Sequence, residues 1–416
     1  MKTITIQTSS KAQYVWIALL LALIAGAAYA WSIQFTEGLG VTGLSNITPW
    51  GLYVQFFNFL VGVGGGVVMV SAAMHLANIR SFRPLLRISI ALGAVAAVLG
   101  SILIMCDLGR PERAIYFFSS PNMGSSMVWD MIFMVTFLAL VVAYGWFSMR
   151  ADLARRQSPL TLSVNDLSEP ALNRDKGVAR IFAGASLIAA ALLANQASLT
   201  SWTLTEHVAL KAVLTRMLLA PLFLVLALTS GVAALLFVVL TVSKFTDMKN
   251  ASETVGATAK LLAGLLLASL AVVLTEATLI SFRGQMLLWV MTSGPYAQVF
   301  WIAITIGALV PLALLVYPRT RRTGSSLAIA SLLSLAGVFF LRFDLQMQGT
   351  LYPRIAYPPG IPLQMFPQTI WTTIGTYTPT TVEAGVITGV LAFGALLFTL
   401  VMKVLPLKQE VSKTIA

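Results

Sequence analysis

Charge is the first thing this sequence lacks. Asp, Glu, Lys and Arg make up only 10% of its 416 residues, against about 25% in an ordinary water-soluble domain. With 58% hydrophobic residues beside them, so few charges cannot cover a soluble surface of this size. The implied solvent is lipid. Cysteine is nearly absent too. Cys106 stands alone, which excludes an internal disulfide, a thiolate zinc site and an iron–sulfur cluster held by this chain. Histidine is scarce: His75 and His207 are the two. A b-type haem between helices takes two axial ligands, usually both histidines. These two fall at opposite faces of the hydrophobic layer and cannot share one iron. No haem and no redox metal are therefore expected in the chain, and electrons handled here must leave through a partner.

What the sequence has in abundance is long apolar runs. A hydrocarbon core roughly 30 Å thick needs about 20 apolar residues per helix. Ten segments qualify: 14–35, 48–78, 86–106, 122–149, 179–202, 209–243, 258–282, 296–317, 324–341 and 384–404. The shortest, 324–341, is nearly all apolar. The net charge of +12 then has a topological meaning, and no nucleic-acid partner is expected. Twenty of the 27 Lys and Arg fall on one set of termini and loops. The other set holds seven: Arg110, Arg113, Lys211, Arg216, Arg283, Arg342 and Arg354. Cytoplasmic loops carry such an excess. Ten spans with both termini cytoplasmic satisfy every loop at once. The expectation is an all-α, multi-pass protein of a bacterial inner (cytoplasmic) membrane. Lys2, Lys11 and the Ala28-Tyr29-Ala30 step resemble a secretory signal, but the apolar run is long for one. The first helix is expected to be retained.

Four parts follow along the chain. Residues 1–47 give an N-terminal helix and a periplasmic segment. Residues 48–202 and 203–341 each give a four-helix bundle, joined through the polar connector 150–178. Residues 342–416 give a periplasmic docking loop and the last helix. The run Gly62, Gly64, Gly65, Gly66 lets another backbone approach closely. Two outer segments are unusual: 107–121, and 342–383, which is long and rich in Pro, Tyr, Trp and Gln. Long loops in compact proteins are uncommon unless they work, so both are expected to be covered by a partner.

Ionisable groups inside spans cost about 2.5–3.5 kcal/mol each and mark function by default. Here most of the polar set converges on the periplasmic half: Gln55 and Asn58, Asp107, Asp130, Asn195, Gln196 and Ser198, Arg216, Glu276 and Arg283, and Asp344. His75 is the main exception. A buried carboxylate such as Asp130 exchanges protons near neutrality, since desolvation disfavours its charge. A quinol head group needs that chemistry, because two protons move as two electrons move. Asp107 reads first as part of a turn stabilised by side-chain and ion-pair contacts within 107–111. Arg216 and Glu276 read as an internal ion pair or, with His75, as a proton path from the cytoplasm.

Several stretches carry a family resemblance. Ile47-Thr48-Pro49-Trp50-Gly51 leading into the Gly-rich span, Asp107-Leu108-Gly109-Arg110-Pro111-Glu112-Arg113, and Ser126-Met127-Val128-Trp129-Asp130 resemble the NrfD/PsrC (polysulfide reductase membrane subunit) family. Asn195-Gln196-Ala197-Ser198 and Tyr377-Thr378-Pro379 with Glu383 are similar to its later motifs. The resemblance covers most of residues 40–400. It implies the longer ten-span branch, with two four-helix bundles flanked by one helix at each end. It also implies a cofactor-free subunit that exchanges electrons with membrane quinone, menaquinone or ubiquinone, through a ferredoxin-like iron–sulfur partner. A molybdopterin-type catalytic subunit or a multihaem cytochrome c would complete the complex. By position, Asp130 would handle the proton. Trp50, Tyr53, Gln55, Asn58, Asp107, Trp129, Asn195 and Gln196 would line the head-group pocket. One departure stands out: hydrogenase-type members have His where this chain has Asn195. A secondary transporter with paired bundles is the alternative, disfavoured because the polar groups gather near one face rather than at the midplane.

Overall fold

A computed structural model describes residues 10–45, 48–161, 166–205, 218–243, 251–283, 285–350 and 377–407. His207, Lys211, Arg216 and most of the expected docking loop lie outside the described residues. Ten helices are long and apolar enough to cross a membrane, and no strand occurs among the described residues. They are α1 Ser10–Glu37, α2 Leu52–Leu76, α3 Leu86–Asp107, α4 Ser126–Arg155 and α5 Glu169–Thr205. Then come α6 Leu219–Ser243, α7 Ala251–Arg283, α8 Ala297–Val316, α9 Gly324–Thr350 and α10 Thr381–Val404. The chain is a multi-pass membrane protein. Its outward apolar side chains, such as Leu19, Leu274 and Phe282, form the surface that lipid covers.

The helices pack as two rings and a pair. In the first ring α2 packs on α3, α3 on α4, α4 on α5 and α5 back on α2. In the second, α6, α7, α8 and α9 close in the same order. The rings join where α2 and α5 meet α6 and α9. The terminal helices α1 and α10 pack on each other, and α10 lies against α3.

The glycine run explains why α2 sits at the centre. A Cβ on Gly62 would stand 2.6 Å from the Arg342 guanidinium of α9. One on Gly64 would stand 3.0 Å from the Gly93 carbonyl of α3, and one on Gly66 1.8 Å from the Ala227 carbonyl of α6. Gly65 faces Ala190 of α5. Each glycine seats a different helix, and backbones approach closely where no side chain intervenes. A further close crossing joins the rim of the second ring, where Gly307 of α8 meets Gly337 of α9. There α8 slips into a π-turn at Thr305–Leu309, just before Pro311, a residue that cannot donate to the helical ladder.

Two sequence expectations need correction. The short apolar segment 324–341 is part of a longer helix running to Thr350, so Arg342 and Asp344 belong to α9 and are buried. The connector 150–178 does not join the two bundles: it links α4 to α5 within the first ring. Arg150 is fully buried, ion-paired with Asp175 of α5, and donates to the Asp166 carbonyl at 2.9 Å. Nearby, Arg87 pairs with Asp152 at 2.6 Å and donates to the carbonyls of Ser148 and Pro406. These contacts lash the cation-rich ends of α3, α4, α5 and α10 together. In the connector, exposed Asp166 is held below the usual carboxylate range, chiefly by the Ser168 backbone N–H.

Candidate functional site

The polar residues gather at the cation-poor face, where α2, α4 and α10 begin and α1, α3, α5 and α9 end. Residues 48–51 run in extended to the N-cap Gly51. A Cβ there would stand 2.8 Å from the Glu383 carboxylate, so the sequence needs glycine. Trp50 is half-buried beside it. From this start, Tyr53 and Gln55 leave α2 about 200° apart, at 100° per residue. They therefore enter two different polar clusters, although the sequence reading assigned them to one pocket.

The first cluster lies between α2, α1, α3 and α10. The Tyr53 hydroxyl donates to Gln34 Oε1 at 2.7 Å, and Gln34 Nε2 donates to the Cys106 carbonyl at 2.6 Å. Glu383 is fully buried. It accepts from the backbone N–H groups of Gly43 and Thr380, each at 2.9 Å, and from the Tyr377 hydroxyl at 2.6 Å. With Thr380 it forms a capping box that starts α10. Tyr377 accepts in turn from the Leu52 N–H at 2.7 Å. Burial, and then the bond to Glu383, push its phenol above the ordinary range. Asp107 ends α3 at the edge of this cluster, in electrostatic reach of Glu383. Its Oδ1 is buried with no hydrogen-bond partner among the described residues. The expected ion-pair turn does not involve it: Arg110 instead approaches Glu112, at 4.0 Å, and both are exposed.

The second cluster lies where α2 meets α5, α6 and α9. Asn58 Nδ2 donates to Gln346 Oε1 at 2.9 Å. The Arg342 guanidinium donates to the Asn58 carbonyl at 2.5 Å and to the Phe223 carbonyl at 3.2 Å, and lies 5.1 Å from the Phe223 ring centroid. Gln55 stands one turn further out on the same face as Asn58. It is 1% exposed, and neither its Oε1 nor its Nε2 has a hydrogen-bond partner among the described residues. Gln346 Nε2 is unpartnered in the same sense. The contact of Gly65 with Ala190 sets an antiparallel register that brings Asn195 of α5 level with Leu60. Asn195 is half-buried and engaged. The side chain of Gln196 lies outside the described residues.

Asp130 occupies a third wall. It shares a face of α4 with Met134, Phe137, Val141 and Tyr144, buried at i+4, i+7, i+11 and i+14, so it points into the first ring. Gly145 packs on Ile90, and that register brings Asp130 level with Met105, near Asp107. Asp130 is half-buried and engaged. The adjacent Trp129 is 41% exposed and donates to the Met123 carbonyl at 3.0 Å. The expected proton-path residues are not gathered. His75 sits at the opposite, cation-rich end of α2, with Nδ1 2.7 Å from the Tyr144 hydroxyl, while Glu276 is buried in α7 of the second ring. Arg216 lies outside the described residues.

Sequence reasoning missed Gln34, Gln346 and Arg342. Gln34 lies in the last turn of the segment 14–35 and was not singled out. The other two fell beyond a span that the charge on Arg342 had cut short.

Comparison with known proteins gives consistent matches. The family model described as polysulphide reductase, NrfD matches residues 40–354. A protein of Halobacterium salinarum, named as a membrane subunit of dimethyl sulfoxide reductase, is 32% identical over 403 residues, covering 95% of this chain and 91% of that protein. The Hdr-like menaquinol oxidoreductase integral membrane subunit of Archaeoglobus fulgidus is 24% identical over 405 residues, covering 96% and 94%. The integral membrane subunit of menaquinone reductase from Nitratidesulfovibrio vulgaris is 26% identical over 127 residues, 30% of each chain.

Proposed function

Because the chain belongs to the polysulphide reductase NrfD family, we propose that it is the quinone-reactive membrane subunit of a respiratory oxidoreductase. It exchanges electrons between a membrane quinone, menaquinone by the names of two relatives, and an iron–sulfur partner subunit. The complex is completed by a molybdopterin-type or multihaem catalytic subunit. The cation-poor face is periplasmic, and both termini are cytoplasmic.

The observation that carries this reading is the orphan carboxamide of Gln55. A buried polar group without a partner costs about 1–3 kcal/mol, and two such groups flank Asn58 here: Gln55, one turn outward on α2, and the Nε2 of Gln346, whose Oε1 Asn58 binds. A carboxamide both donates and accepts. It therefore suits the carbonyl of a quinone and the hydroxyl of a quinol alike. Asp107 and Asp130, at one level on neighbouring helices, are proton-active groups at this same end of the molecule, on the first-ring side of α2. The segment between α3 and α4 exposes Ile115, Tyr116, Phe118 and Met123, an apolar surface suited to a docked partner.

The test is Gln55→Leu in the assembled complex. Leucine keeps the volume and removes the unmet polar atoms. The expected outcome is unchanged or improved thermal stability with a KM for quinol raised at least tenfold. An unchanged KM overturns the site. Loss of assembly with its partner is read separately, by co-purification.

A second reading, coupling to transmembrane proton movement, is favoured by one feature of the second ring. The hydroxyls of Thr229 and Ser269 lie 3.0 Å apart beside a small cavity of about 20 Å³, and Glu276 lies two turns further along α7. Proteoliposomes should then develop a membrane potential on turnover that Glu276→Gln abolishes while electron transfer persists. Turnover without a potential excludes it.

A further inference from the structure

Three arginines are buried among the described residues: Arg87, Arg150 and Arg342. The first two face carboxylates, Asp152 and Asp175. Arg342 does not. It is 2% exposed, has no ion pair with a described residue, and meets only the carbonyls of Asn58 and Phe223 and the Phe223 ring. Its Nε has no partner at all among the described residues. Carbonyl dipoles solvate the guanidinium but leave its full charge in place. The chain also makes room for it, since any Cβ at position 62 would clash with it at 2.6 Å. Such an arrangement is costly in a low-dielectric interior unless a negative charge uses it.

The place where that charge would appear is close by. Gln346 lies one turn outward on α9, a rise of about 6 Å, and Asn58 binds both residues, Gln346 through its side chain and Arg342 through its carbonyl. The buried carboxylates at similar depth are Asp344 and Glu276. Asp344 is two residues on, about 200° around the helix, and Glu276 is on α7. Both are engaged there.

We propose that Arg342 is the charge-setting residue of the quinone site: it favours the negatively charged head group over the neutral one. The inference rests on the quinone reading above. When an electron arrives from the iron–sulfur partner ahead of its proton, negative charge builds on a head-group oxygen. In the oxidative direction a quinol hydroxyl first gives its proton to a carboxylate, leaving the anion, and the electron then passes to the partner. A fixed cation steadies the anion in both directions. Arginine stays protonated in proteins, so its contribution does not titrate. At an effective dielectric of about 20, a unit charge about 8 Å away shifts such an equilibrium roughly thirtyfold.

A pair of probes separates charge from shape: a 2-hydroxy-3-alkyl-1,4-naphthoquinone, anionic at neutral pH, and its neutral 2-methyl-3-alkyl counterpart. Binding is followed by fluorescence quenching in the detergent-solubilised complex. In the unaltered complex, the hydroxy probe should weaken at least tenfold on acidification through its own ionisation, while the methyl probe stays constant. Arg342→Gln should lower affinity for the anionic probe at least tenfold and leave the neutral probe within threefold. Arg342→Lys, which keeps the charge, should retain the preference for the anion. An anion-to-neutral ratio unmoved by Arg342→Gln, or indifference of the unaltered complex to the probe's ionisation, overturns the proposal. Failure of both probes to bind the unaltered complex overturns the quinone reading instead.

Discussion

Arg150 and Arg342 bear the same charge and the same burial, but different company decides what each does. Arg150 is matched by Asp175 and fixes α4 to α5. Removing one member of a buried pair costs about 3–5 kcal/mol, because the other is left charged and alone, whereas removing both is often neutral. Arg150→Met should therefore lower the thermal unfolding midpoint in detergent strongly, and adding Asp175→Leu should recover most of the loss. A double variant no better than the single one would mean the pair does not share its burial. Neither arginine's role was legible in the sequence. Both were counted as loop cations, since the carboxylate that buries Arg150 lies 25 residues away and the carbonyls that hold Arg342 lie on other helices. Asp130 was singled out in the sequence, because a carboxylate two turns inside an apolar run stands out against its neighbours, and its role there is a proposal. Asp130→Asn keeps the volume and removes the proton. If Asp130 is the proton carrier, quinol-linked electron transfer in the assembled complex should fall about 10²-fold or more. Full retention of the rate would reduce it to a packing residue.

Among the elements, the helices themselves were read from hydropathy, with ends misplaced by a few residues and the largest errors, at the start of α5 and the end of α9, where charges interrupted an apolar run. Arg342 truncated α9 on paper because hydropathy scores composition, and composition cannot tell a loop cation from one threaded between carbonyls. The Gly62–Gly66 run was legible as a close-approach signal, but not as four separate seats, because the partners are set by tertiary packing. That geometry makes a controlled prediction. Gly66→Ala drives a Cβ to 1.8 Å from a backbone carbonyl of α6, which no rotamer change relieves. Overpacking of this kind costs typically 1–3 kcal/mol or more, and it should loosen the joint between the two rings. Gly264→Ala has nothing within 4 Å of the new methyl. In a helix interior that exchange is neutral or stabilising by up to about 1 kcal/mol. Thermal stability in detergent should separate the two variants in that order. Equal effects would place the α2–α6 contact elsewhere.

For the whole molecule, the arrangement of the rings tells which end meets the partner only once the chain is oriented, and the orientation rests on cations. Twenty lie on the side of the termini and seven opposite, a bias that the insertion machinery reads as inside versus outside. The charge partition gives the orientation to be tested, and the helix count was legible from the apolar runs. The two clusters flanking α2 were not, because a side chain's azimuth around a helix matters only when its neighbours are known. The orientation can be tested with the chain's own scarcity of thiols. Cys106 is its sole cysteine and is buried. Gln34 binds its carbonyl rather than its sulfur, so Cys106→Ala should leave that contact intact and give a thiol-free background. Glu37 is exposed on the cation-poor face at the end of α1, and Arg322 is exposed between α8 and α9 on the cation-rich face. In intact cells a membrane-impermeant maleimide should label Glu37→Cys at once and label Arg322→Cys only after permeabilisation. The reverse pattern would turn the proposed quinone site and docking surface to the cytoplasm, and the proposed iron–sulfur partner would then have to be sought there. Labelling of both from outside would break the alternation on which ten spans depend.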